Sequence, residues 1–130
     1  MSGLFYIALG GAIGAVLRYV ISGIPHSLFP STFPWGTALV NLTGSFLIGF
    51  LSGILFNRMA SISPDMRKFV FIGILGAFTT FSTFSIESFR LFNDGEITLA
   101  VSNIMLNNIG GIVLVLAGYI SGKALMMATN

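Results

Sequence analysis

Four long apolar runs leave this chain little choice of surroundings. Leu4 to Gly23 holds a single charge, Arg18, and Trp35 to Phe56 holds none. A third run extends from about Arg67 to Phe92 and a fourth from about Ile97 to Met126. Runs of roughly 20 apolar residues cross a hydrocarbon core of about 30 Å as helices. Charged residues make up 8% of the sequence, against about 25% in soluble domains. The fold class is therefore all-α integral membrane. A single four-helix domain fills 1–130, with helices at approximately 4–23, 35–56, 67–92 and 97–126. The opening MSGLFYIALGG lacks a basic stretch and a separate cleavage site, so it reads as the start of the first span. Activity is expected within the membrane. Four short helices enclose little volume, so a homo-oligomer is expected too.

The third run carries the least lipid-like stretch, Gly73–Ser85, reading GILGAFTTFSTFS. Thr79, Thr80, Ser82, Thr83 and Ser85 would sit at membrane depth, with Phe81 and Phe84 among them. Hydroxyls there either bond back to their own helix or line something wet. Gly73 and Gly76 permit close backbone approach or a break. The expectation is a third helix broken at Gly76–Thr79, with freed carbonyls able to hold a hard cation such as Na⁺. By spacing alone, Phe81 and Phe84 read as core packing.

The other spans add polar groups on defined faces. Thr37, Asn41 and Ser45 repeat at i, i+4, i+8, and Gly49 and Gly53 extend that face. Thr37 and Ser45 read as helix packing, whereas an amide at Asn41 marks an interface or a pathway. In the fourth span Asn103 and Asn107 share a face, Asn108 adjoins them, and Gly111 continues it; Gly118 and Gly122 repeat a GxxxG spacing. Gly10 and Gly14 carry the same spacing in the first span. Arg18 either snorkels to the interface or provides a fixed positive charge in a vestibule. IPHSLFPSTFP reads as a loop, with His26 at the surface, and Trp35 opens the second span at interface level. Asn57 to Met66 reads as a polar loop containing Arg58. Glu87 and Arg90, three apart near the end of the third run, are expected to pair or face water. Arg58, Arg67, Lys68 and Lys123 fall on one side, Arg18 and Arg90 towards the other. That bias is slight and permits insertion in both orientations.

GGAIGAVLRY at 10–19, NLTGSFLIG at 41–49 and GAFTTFSTFS at 76–85 together resemble the small bacterial fluoride channels called Fluc, or CrcB. The likeness covers essentially the whole chain. It implies an antiparallel, dual-topology homodimer with two fluoride pathways along the subunit interface. It implies passive fluoride export across the bacterial inner membrane by a multi-pass protein. Carried over, Phe81 and Phe84 match ring edges that face fluoride, and Ser82 and Thr83 match the polar track beside them. Asn41 and Thr37 match second-span donors, and Arg18 matches the vestibule arginine. Gly76 and Thr79 match carbonyl donors to a structural Na⁺ at the dimer centre. The fourth span departs from the family's Tyr and small hydroxyls, offering Asn103, Met105, Asn107 and Gly111 instead; Asn107 is the pathway candidate there.

The chemistry suits fluoride. A pore must replace this ion's tightly held water without trapping it. Hydroxyl and amide donors do so singly, and the positive edge of a phenyl ring adds weak donors. A narrow, mostly neutral lining disfavours the larger chloride. A proton-coupled cation or multidrug exporter of similar size is the alternative. It needs a titratable group within the membrane, and among Asp65, Glu87, Asp94 and Glu96 only Glu87 lies near a span. No enzyme site can be assembled from one His and four carboxylates. The absence of Cys excludes thiolate metal sites, and a net charge of +2 is too small to suggest nucleic acid.

Overall fold

The computed structural model describes residues 2–28, 31–56 and 62–129, the side chains of 2 and 26–28 excepted. Among the described residues every regular element is helical. Helix α1 runs Ser2–Leu28 and α2 runs Trp35–Leu55. The third span comprises two helices, α3 over 64–78 and α4 over Phe81–Asn93. Helix α5 covers 97–128. Gly3–Pro25, Trp35–Leu55, Pro64–Asn93 and Ile97–Ala128 are each long and apolar enough to cross a membrane, which bears out the four expected spans. Two segments wind as π-helix, Lys68–Leu75 in α3 and Leu106–Gly110 in α5. Nothing in the apolar pattern announces them.

The helix ends follow local chemistry. Ser63 caps α3 by accepting the Met66 N–H at 3.2 Å, and Pro64 takes the first helical position. Lys68 then pairs with Asp65 at 3.1 Å. Helix α1 continues through Pro25 to Leu28, where the sequence suggested a loop. Proline there removes one backbone donor, and so near the helix end that loss is confined to the last turn. The expectations for the side chain of His26, and for Asn57 and Arg58, lie outside the described residues. Between α4 and α5 the turn is a Schellman motif. The Glu96 N–H reaches the Leu91 carbonyl at 2.8 Å and the Gly95 N–H reaches Phe92 at 3.1 Å. Gly95 sits at φ +80, a conformation that side chains avoid.

Glycine rails set the packing. A Cβ added at Gly49 would strike the Val115 carbonyl, and one at Gly118 the Phe46 carbonyl. Gly53 and Gly122 meet Tyr119 and Phe50 in the same way, so α2 and α5 run side by side at backbone contact. Gly10 and Gly14 press α1 against Phe69 and Ile74 of α3, with Gly73 facing Gly10. Without a hydrophobic force between helices in lipid, such close contact supplies the packing energy. Lys68 lies beside Gly3, and Lys123 lies 5.5 Å from the Phe56 ring centroid, which places both cations at one end of the bundle. Outward faces carry large apolar residues, including Leu4, Phe5 and Val16 on α1 and Ile112, Leu116 and Ile120 on α5. They suit lipid.

Gly118→Val is expected to force α2 and α5 apart, costing about 1–3 kcal/mol of overpacking. Gly11→Ala, where an added Cβ meets nothing within 4 Å, is expected to be silent. Survival of monodisperse protein after heating in detergent checks this; equal survival of both variants would remove the rail from the account.

Candidate functional site

The third span breaks at Thr79–Thr80, and the α2 helix holds the break open. Helix α3 ends at Phe78; Thr79 is extended at φ −85, ψ 158 and Thr80 at φ −147, ψ 110. The Asn41 amide latches onto the backbone of Thr80. Its Oδ1 accepts the Thr80 N–H at 2.8 Å, and its Nδ2 donates to the Thr80 carbonyl at 3.1 Å. In an unbroken helix the Thr80 N–H would close a turn on Gly76, so the latch deprives the Gly76 carbonyl of that partner. Gly44, one turn beyond Asn41, seats the break, because a Cβ there would strike the Thr79 methyl. Thr80 also caps α4: its hydroxyl oxygen accepts the Thr83 N–H at 3.3 Å and its proton goes to Thr83 Oγ1 at 2.8 Å. The Thr79 hydroxyl bonds back to the Leu75 carbonyl at 3.2 Å.

One cavity opens directly on this break. It has a volume of about 300 Å³ and is lined by Asn41, Ser45, Gly76, Thr79, Thr80, Phe81, Phe84, Asn107 and Asn108, among others. The Phe81 and Phe84 rings meet edge to face, with centroids 5.4 Å apart at 63°. Phe84 is buried, whereas Phe81 is 76% exposed and projects from the chain. Both carbonyls expected to hold Na⁺ belong to residues on this cavity. Thr79 precedes an extended residue, and Gly76 has lost its next-turn donor to Asn41. Among the described residues no cluster of three His, Cys, Asp or Glu is placed to hold a metal. The oxygens lining the cavity are therefore those of backbone carbonyls, amides and hydroxyls, a donor set that hard cations accept.

A second cavity, about 230 Å³, lies on the other side of the break. Arg18, Tyr19, Ser22, Thr37, Thr80 and Thr83 contribute to its walls. Thr80 borders both cavities. The Thr37 hydroxyl donates to Glu87 Oε1 at 2.8 Å, which ties α2 to α4. Arg18 is half-buried here. This arrangement gives a cationic chamber and an aromatic chamber meeting at a two-residue extended segment.

The sequence candidates thus divide. Phe81, Phe84, Asn41, Asn107, Gly76 and Thr79 surround the first cavity; Arg18, Thr37 and Thr83 surround the second. Ser82 is exposed and borders neither. The N–H groups of Asn41 are both committed, one to Thr80 and one to Asn107 Oδ1 at 2.8 Å. Thr37 is likewise committed to Glu87. Ser45 and Asn108 also line the first cavity. Ser45 had read as packing, and the i, i+4 repeat from Asn41 was the signal that it shares the same face.

The sequence matches the family model described as "CrcB-like protein, Camphor Resistance (CrcB)" over residues 5–119. A Shewanella halifaxensis protein named "Fluoride-specific ion channel FluC" is 47% identical over 107 residues, covering 82% of this chain and 85% of that protein. A Citrifermentans bemidjiense protein of the same name is 42% identical over 125 residues, 96% of this chain and 100% of that one. One from Shewanella baltica is 48% identical over 107 residues, with coverage of 82% and 85%. The match runs from the first span into the last, and this multi-pass membrane protein belongs to the CrcB family.

Proposed function

We propose that this chain is a fluoride channel, working as an antiparallel homodimer in the bacterial inner membrane. The carrying observation is the break at Thr79–Thr80, which leaves Thr80 between a cationic cavity and a cavity walled by the Phe81–Phe84 pair. The names of the relatives point to the ion.

The residues divide the work. Arg18 raises the local concentration of anions in the second cavity. The Thr83 hydroxyl accepts from Thr80, so its own proton is available to an ion. Phe81 and Phe84 then offer positive ring edges as water is stripped away. Among the described residues no charged side chain lines the aromatic cavity, so fluoride meets neutral side-chain donors there. Chloride, being larger, fits the same lining poorly. Thr37 and Asn41 support this path by holding Glu87 and Thr80.

A second copy completes the arrangement. Phe81 projects from the single chain beside the first cavity. Antiparallel pairing would bring two such faces together and form two pathways. It would also bring the Gly76 and Thr79 carbonyls of both copies around a central Na⁺, which needs several oxygens. The cation would neutralise the carbonyl ends gathered at the breaks and lock the pair. Cations at both ends of the bundle, Lys68 and Lys123 against Arg18 and Arg90, are compatible with insertion either way.

Fluoride efflux from liposomes, read with an electrode while a K⁺ ionophore dissipates voltage, tests the function. Fast fluoride release with little chloride release is expected. Phe81→Ile is expected to slow it roughly ten-fold, the effect of about 1.4 kcal/mol of lost ion stabilisation. No release from folded, dimeric protein would sink the channel reading, and export of cationic dyes sensitive to Glu87→Gln would favour the exporter.

The dimer face has its own test. A Cβ at Gly76 meets only the Phe71 carbonyl, at 3.6 Å, within one chain. Gly76→Leu is therefore expected to keep its helical circular dichroism yet elute from gel filtration as a monomer. A dimer as persistent as the parent would place the interface elsewhere.

A further inference from the structure

The geometry points to Asn103 and Ser88 as positioning residues of the pathway: they touch no ion, yet fix the Phe81–Phe84 pair through a one-way chain of hydrogen bonds starting at the helix break. This rests on the fluoride-channel reading above. Asn103 is fully buried at 0% exposure and Ser88 is buried beside it. Neither borders either cavity at the break.

The direction of the chain follows from the backbone of Thr80. Its N–H can only donate, so the Asn41 atom facing it is oxygen. Its carbonyl can only accept, so Asn41 turns its nitrogen there, and the second N–H of that nitrogen reaches Asn107 Oδ1 at 2.8 Å. Asn107 must then present nitrogen to Asn103, where it meets Oδ1 at 2.9 Å and the backbone carbonyl at 3.0 Å. Asn103 in turn presents nitrogen to Ser88 Oγ at 2.9 Å. The Ser88 oxygen is thereby an acceptor, and its proton goes to the Phe84 carbonyl at 2.9 Å. Each amide orientation is dictated by the one before it.

The chain leaves α4 at its cap, crosses α2 and α5, and returns to α4 one turn later at Phe84. It therefore braces the turn that carries both phenylalanines. A serine bonded back to the carbonyl four residues earlier bends its helix slightly. Without the Asn103 donor, Ser88 can rotate away, and that bend is lost. Bonds in series polarise one another, and in a dry setting a missing member costs most. The polar pattern of the fourth span thereby acquires a division of labour: Asn107 links the cavity to the chain, and Asn103 links the chain to Phe84.

Single-channel fluoride current in planar bilayers tests this, because it is measured only on channels that folded. Ser88→Ala and Asn103→Leu are expected to lower the current per channel about ten-fold, the upper range for one hydrogen bond. Ser88→Thr, which retains the hydroxyl, is expected to recover most of it. Wild-type current per channel in Ser88→Ala, with only the number of channels reduced, would overturn the proposal, because a purely structural role predicts that result. If Asn103→Leu yields no channels, the Ser88→Ala and Ser88→Thr pair decides alone; equal loss in both would also overturn it. Absence of fluoride current in the unmodified protein would instead count against the channel reading itself.

Discussion

Backbone polar groups in hydrocarbon have no water to turn to, and this constraint governs the molecule. An unbroken helix satisfies it automatically. A helix that stops at Phe78 and restarts at Phe81 does not. The Asn41 amide repairs the fault by offering Thr80 an acceptor and a donor together, as a neighbouring peptide would. Once Asn41 is committed in this way, its orientation is no longer free, and the polar side chains of α5 must align with it. The break, the latch and the row of asparagines are thus one solution to one problem.

The same constraint explains why glycines fill the rest of the interior. The latch works only if α2 lies close enough to the break for a short amide to reach its backbone. Gly44 permits that approach at Thr79, and Gly49 and Gly53 maintain it down the helix against α5. Larger residues at these positions would move α2 outward and carry Asn41 out of hydrogen-bond range. Close packing and polar satisfaction are therefore coupled, and each glycine contact acts on the site from a distance.

Much of this was legible in the sequence. Hydropathy marked the four spans, because apolar length is what a bilayer demands. The break was legible within a residue or two, from Gly76 followed by a hydroxyl run. The partners of that break were not. Asn41 and Thr80 are 39 positions apart, and no periodicity within either segment names the other. The π-helical turn around Asn107 was hidden for a similar reason: a one-residue widening leaves the apolar count unchanged while rotating the residues beyond it. Asn103 and Asn107 looked alike as members of one stripe, yet one is sealed inside and the other borders the cavity. The Ser63–Pro64 cap and the Gly95 turn, by contrast, are built from bonds spanning only a few residues, and determinants of that range lie in nearby letters.

A break in a membrane helix carries a cost that selection retains only for a use. Here the break does two things that a continuous helix cannot. It deprives the Gly76 carbonyl of its next-turn donor, turns the extended Thr79 out of the helix, and starts a new helix whose first turn holds both phenylalanines. The first product suits a cation and the second suits an anion, and both arise between Gly76 and Phe84. Opposite charges, if held so near a shared discontinuity, would offset each other electrostatically in a medium that screens poorly. On the reading proposed above, a cation at those carbonyls would let an anion pathway of mostly neutral donors run beside it without a ring of basic side chains. On that reading the field at the break comes from the folding of the backbone, Arg18 adds charge in the second cavity, and the aromatic and amide side chains set width and selectivity.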